Sequence, residues 1–204
     1  MRRKAPVVVA LVVAVAVAGA GIAIALSAVG DPAPSPEPTA GAAEQDFGET
    51  EYCYVEAMIY YRAEAVDLAD ILLNAEGVSV EATAIAQDVY DQQSEQLAEL
   101  REVYLEWKSA RPLERTEVGP CAGHDDHSAM VGLPGWSDLR RYSESSGTEA
   151  EQGFAELMIA QNAGVTAFAE LVLEYDPNAW VTDAASDAIA QAESEDAVLA
   201  TLLP

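Results

Sequence analysis

Residues 58–69, MIYYRAEAVDLA, return one hundred positions later as residues 158–169, MIAQNAGVTAFA, and this echo decides the fold. Within the first copy Val55, Met58, Ile59, Arg62, Ala65, Val66, Ala69 and Leu73 recur at steps of three and four, the spacing of one face of a helix. The second copy carries Phe154, Leu157, Met158, Gln161, Val165, Phe168 and Val172 at the same spacing. Glu51 answers Glu151, and Ala69-Asp70 answers Ala169-Glu170, so the chain holds a duplicated helical unit.

Each copy has a second helix. Gly77 closes the first, and Ser79 can cap a stripe running through Ile85, Val89, Gln93, Gln96, Leu97, Leu100, Tyr104 and Trp107. In the second copy Asp176-Pro177 both stops one helix and opens another, with Asp at N-cap and Pro at N1. The stripe that follows, Ala184, Ala188, Gln191, Glu195, Val198 and Leu202, is thin. Thr148 and Glu151 have the spacing of a capping box at the start of the third long helix. The expectation is an all-α bundle of four helices in two hairpins, residues 48–108 and 148–204. A Pro- and Gly-broken connection, 109–147, joins them, with a short helix after Trp136.

Upstream the character changes twice. Residues 31–47 alternate Pro32, Pro34, Pro36 and Pro38 with small and acidic residues, which suits an extended stalk. Before it, Arg2, Arg3 and Lys4 precede the uncharged stretch 7–29, a hydrophobic helix within a targeting segment that occupies residues 1–30. As a helix that stretch reaches about 34 Å, enough to span a hydrocarbon core of about 30 Å. It serves either as an uncleaved signal anchor or as a signal peptide cut near Ala28-Val29-Gly30. Both place the remainder outside the cytoplasm, in the cell envelope or secreted. That remainder holds seven Lys and Arg against thirty-five Asp and Glu, a formal −28, which excludes nucleic acid as a partner. Protein partners and homo-oligomerisation stay open. Cys53 and Cys121, the two cysteines, are candidates for a disulfide in an oxidising compartment.

With Leu133-Pro134-Gly135-Trp136 between the copies, this order of motifs resembles the exported bacterial family known as domain of unknown function 305, over roughly residues 48–203. The resemblance implies a ferritin-like fold, with M-I-x-H-H in both halves and Q-x-x-E on each partner helix, a set suited to metal binding. Here Tyr61-Arg62 and Gln161-Asn162 stand at the His pairs, and Gln93 with Gln96 and Gln191 with Ser194 stand at the Q-x-x-E positions. Amide and hydroxyl groups are poor ligands, and guanidinium has no lone pair to give. The family's metal chemistry is therefore not expected to carry over.

Arg62 on the apolar stripe is expected to replace a metal's charge and be neutralised by Glu51, Glu151 or Glu195, unless it snorkels to the bundle edge. Tyr61, Gln93, Gln96, Gln161, Asn162 and Gln191 are candidates for a buried polar network. The two histidines fall in His124-Asp125-Asp126-His127, a set that could hold a divalent metal such as copper or zinc weakly, or serve merely as a polar turn. No other cofactor is expected. No nucleophile elbow, phosphate loop or zinc-protease helix is present, and a non-catalytic structural or interaction module is expected over an enzyme.

Overall fold

In the computed structural model, residues 47–106, 119–122 and 130–204 are described. The hydrophobic stretch 7–29, all of the expected stalk except Phe47, and the His124–His127 cluster lie outside them. Among the described residues no helix is long and apolar enough to cross a membrane.

Four long helices carry the fold: α1 (Glu49–Asn74), α2 (Val80–Glu106), α4 (Gly147–Leu173) and α5 (Ala179–Leu199). The short α3 (Trp136–Ser143) precedes α4, and a 3-10 turn (Ala200–Leu202) follows α5. α1 pairs with α2, α4 with α5, and α1 with α4. The Gly147 amide donates to the Glu76 carbonyl at 2.8 Å, placing the start of α4 at the end of α1. The two first helices therefore run antiparallel. Sequence positions that meet across them add to nearly the same total: Glu76 with Gly147, and Tyr61 with Gln161. Tyr61 and Gln161 are also counterparts in the repeat, so an approximate two-fold axis relating the hairpins passes beside them.

That symmetry organises the core. One apolar half contains Ala65, Leu72, Ala86, Val89, Phe154 and Met158. The other holds their repeat counterparts Val165, Val172, Ala185, Ala188, Tyr54 and Met58. Arg62, Gln93, Gln161 and Asn162 are buried near the middle of the same helices. The buried faces of α2 (Ala82, Ala86, Val89, Gln93) and α5 (Val181, Ala185, Ala188, Ala192) repeat at an offset of ninety-nine, and so do the N-caps Ser79 and Asn178.

Three local expectations shift. The α5 N-cap is Asn178, whose side chain accepts from the Val181 amide at 2.9 Å. Asp176 instead takes the left-handed turn, with φ 50°. α4 begins at Gly147 with Ser146 as N-cap, so Thr148 lies inside the helix and caps nothing. On α5 the buried stripe is Val181, Ala185, Ala188, Ala192 and Leu199, which keeps only Ala188 of the expected one.

Two described points of the connection between hairpins, Cys121 and Val131, are fixed to the bundle. Cys53 and Cys121 are joined, with Cα atoms 5.8 Å apart. Tyr61 donates its hydroxyl to the Val131 carbonyl at 2.9 Å, and a Cβ on Gly164 would collide with that same carbonyl. Glycine at 164 thus lets the connecting chain lie directly on the α4 backbone.

Candidate functional site

The polar centre starts from Arg62, which is 5% exposed on the inner face of α1. Its Nη1 donates to Gln93 Oε1 at 3.0 Å, and Gln93 Nε2 donates to Glu195 Oε1 at 3.3 Å. Gln93 is completely buried and carries the link from guanidinium to carboxylate across three helices. Burial pulls the Arg62 guanidinium below its usual range, against the fields of Tyr54 and Glu195. Burial likewise pushes the Glu195 carboxyl up, opposed by the Asn162 and Gln93 amides and by Arg62. Each charge favours the other's ionised form, and an intervening amide lets them interact without direct contact.

Of the three carboxylates considered for Arg62, Glu195 is the one at the centre. Glu51 Oε1 accepts from the Asn178 amide and Oε2 from the Gly48 amide, both at 2.8 Å. Glu151 Oε1 accepts from the Ser79 amide at 2.6 Å. Each thus satisfies the N-cap amide of a helix in the opposite hairpin, and the pair obeys the two-fold relation.

The remaining candidates are distributed unevenly. Gln161 Nε2 donates to the Tyr61 carbonyl at 2.8 Å, while its Oε1 is buried without a partner among the described residues. Asn162 Nδ2 donates to Asp196 Oδ1 at 2.8 Å. Gln96 Nε2 donates to Gln191 Oε1 at 2.7 Å, bridging α2 and α5. Tyr61 turns its hydroxyl to the connecting segment, and burial pushes that group up to about 12. Ser194 is exposed on α5. His124, Asp125, Asp126 and His127 lie outside the described residues.

Ser194 misses the centre because the second half is shifted by one position. With the helices registered by their N-caps and buried faces, Gln93 corresponds to Ala192 and Gln96 to Glu195. Glu195 thus stands at the second carboxylate position of the double Q-x-x-E pattern that the family resemblance implies. The caps Ser79 and Asn178, ninety-nine apart, were the signal that could have found this register. Asp196, which receives Asn162, and Tyr54 beside Arg62 were also missed.

The donor set does not suit a metal ion at this centre. Among the described residues no three His, Cys, Asp or Glu side chains gather closely enough to hold one. Glu195 is the carboxylate facing the guanidinium there, and the single Gln93 amide accepts from one charge and donates to the other.

Two crystal structures share this architecture. The chain is similar to a DUF305 fragment from Deinococcus radiodurans at 22% identity with a TM-score of 0.64, covering 78% of this chain and 98% of that one. It is similar also to a candidate secreted DUF305 protein from Streptomyces coelicolor at 18% identity with a TM-score of 0.62, covering 76% and 89%. No curated protein matches. The model of the family described as a domain of unknown function, DUF305, matches residues 51–203, nearly the whole helical bundle. This chain belongs to the DUF305 family.

Proposed function

We propose that this DUF305 protein works outside the cytoplasm as a non-catalytic structural or interaction module whose bundle centre is held by an internal charge network and takes no metal ion. The observation that carries the reading is the Arg62–Gln93–Glu195 chain. A fixed cation at the middle of a bundle raises the cost of placing a second cation there, and it already has a carboxylate within reach. The exported location draws support from the Arg2-Arg3-Lys4 and hydrophobic 7–29 arrangement, and from the candidate secreted status of the Streptomyces relative.

The test is elemental analysis of the full chain purified from its envelope, with thermal melts in the presence and absence of chelator. The reading expects far less than one metal ion per chain and an unmoved melting temperature. Copper or zinc buffering by the His124–His127 segment is the competing role. It predicts a melting temperature that rises with added metal and loses that rise in a His124→Ala, His127→Ala double variant.

A further inference from the structure

α2 and α5 face each other through glutamine side chains, and along this seam the core opens to solvent in a cleft of about 180 Å³ between α1, α2 and α5. The cleft wall is chemically specific. Arg62 lines it, a cation 5% exposed. Gln96 and Gln191 line it too, and after bonding each other they retain Gln96 Oε1 as an acceptor and Gln191 Nε2 as a donor. Both atoms are buried without a partner among the described residues. Rotating both amides by half a turn only exchanges which side chain carries which group, so one donor and one acceptor stay unmatched just behind the wall either way, and a ligand reaches them when the side chains turn outward. Such atoms are costly to bury unmatched, and a ligand that matched both would recover that cost.

The rest of the cleft narrows the ligand class. Met58, Leu100 and Trp180 supply an apolar side, while the acidic residues Glu99 and Asp187 are among those that line it. A free anion would meet those carboxylates and a chain of formal charge −25, and a free amine would meet Arg62. A zwitterion meets neither objection and adds no net charge to the core. A cavity of about 150 Å³ accepts benzene, so this one has room for a small molecule of comparable size.

We propose that the cleft binds a free α-amino acid with a small apolar side chain. Arg62 and the free amide donor hold its carboxylate; the free amide acceptor and an acidic residue of the cleft hold its ammonium. The proposal goes beyond the metal-free structural reading. Metal content and amino-acid binding are read in separate measurements, so either can fail alone.

Isothermal titration of the full chain in detergent micelles with glycine, L-alanine, L-valine and L-leucine tests it. Saturable binding of at least one apolar member is expected. Its amide, which lacks the carboxylate, and its deaminated acid, which lacks the ammonium, should each bind at least about tenfold more weakly. Arg62→Met and Gln191→Leu should each weaken the amino acid by a similar factor. Gln191→Leu, on a half-buried residue, should do so with an unchanged circular dichroism spectrum. Absence of saturable binding by all four amino acids would overturn the proposal. So would equal binding of the amide or the deaminated acid, or full affinity in a folded Gln191→Leu protein.

Discussion

Replacing Arg62 by methionine keeps an unbranched side chain but removes the cation that Gln93 and Glu195 face. The variant is expected to lose about 3 kcal/mol of unfolding free energy in urea melts near pH 7. Glu195→Gln in the same chain should recover part of that loss, with a coupling of at least about 1 kcal/mol. A stabilised Arg62→Met chain would mean that the network does not hold the centre. Glu195 also sets a pH dependence. Burial raises its carboxyl in the folded chain above the ordinary 4.5, so the folded state binds the proton more readily than the unfolded one. Its contribution to stability therefore grows as pH falls from neutral toward 4.5 and is lost as pH rises through the folded-state value. The wild-type melting temperature should climb on mild acidification, and Glu195→Gln should flatten the climb. Arg62 was legible in the sequence because it breaks an otherwise apolar helical stripe. The destinations of Glu51 and Glu151 were not, because their acceptor geometry is completed by backbone amides 127 and 72 positions away.

At the scale of elements, those two glutamates stitch the hairpins together at opposite ends of the bundle. Glu51 acts where α1 and α5 begin, and Glu151 where α4 and α2 begin. Removing either acceptor takes away the side-chain bond to a helix-start amide, so Glu51→Ala and Glu151→Ala should each cost about 1 kcal/mol, the exposed Ser79 amide being left to water. Glu51 should cost more, since it serves two amides. The ends are separated by roughly the length of α1, about 39 Å, so the two losses should add to within about 0.5 kcal/mol in a double variant. Marked non-additivity in equilibrium unfolding would show that the ends are not independent. Helix existence and pairing could be read from periodicity and from Gly77, Ser79 and Pro177. The start of α2 could be read too, but those of α4 and α5 could not, since Glu151 is drawn away from its own helix and Asn178 outcompetes Asp176 as N-cap. The thin, alanine-rich face of α5 offered too little contrast to settle its register, which is why Ser194 was placed one position from Glu195.

Across the whole molecule, the Cys53–Cys121 bond fastens the described segment around Cys121 to the first helix and closes a span of 68 residues. In the chain-entropy account that closure contributes about 4 kcal/mol, so reduction should lower the melting temperature sharply without changing the helical far-ultraviolet spectrum at low temperature. A reduced protein that melts with the oxidised one would show that the connection is held by other contacts, such as Tyr61 with Val131. The duplicated pattern was enough to reach four helices in two hairpins, because each copy can bury its stripe only against the other. It could not show that the two-fold relation brings Arg62, Gln93 and Glu195 into one chain of hydrogen bonds, since that depends on which helices become neighbours. The most direct measurement of the central claim is metal content per chain after native purification, repeated after incubation with excess copper, zinc and iron and removal of free ion. The account predicts no ion retained at the bundle centre, whatever the His124–His127 segment holds in a control lacking those histidines. One equivalent of metal kept by that histidine-free control, and lost on Gln93→Leu or Glu195→Gln, would contradict it.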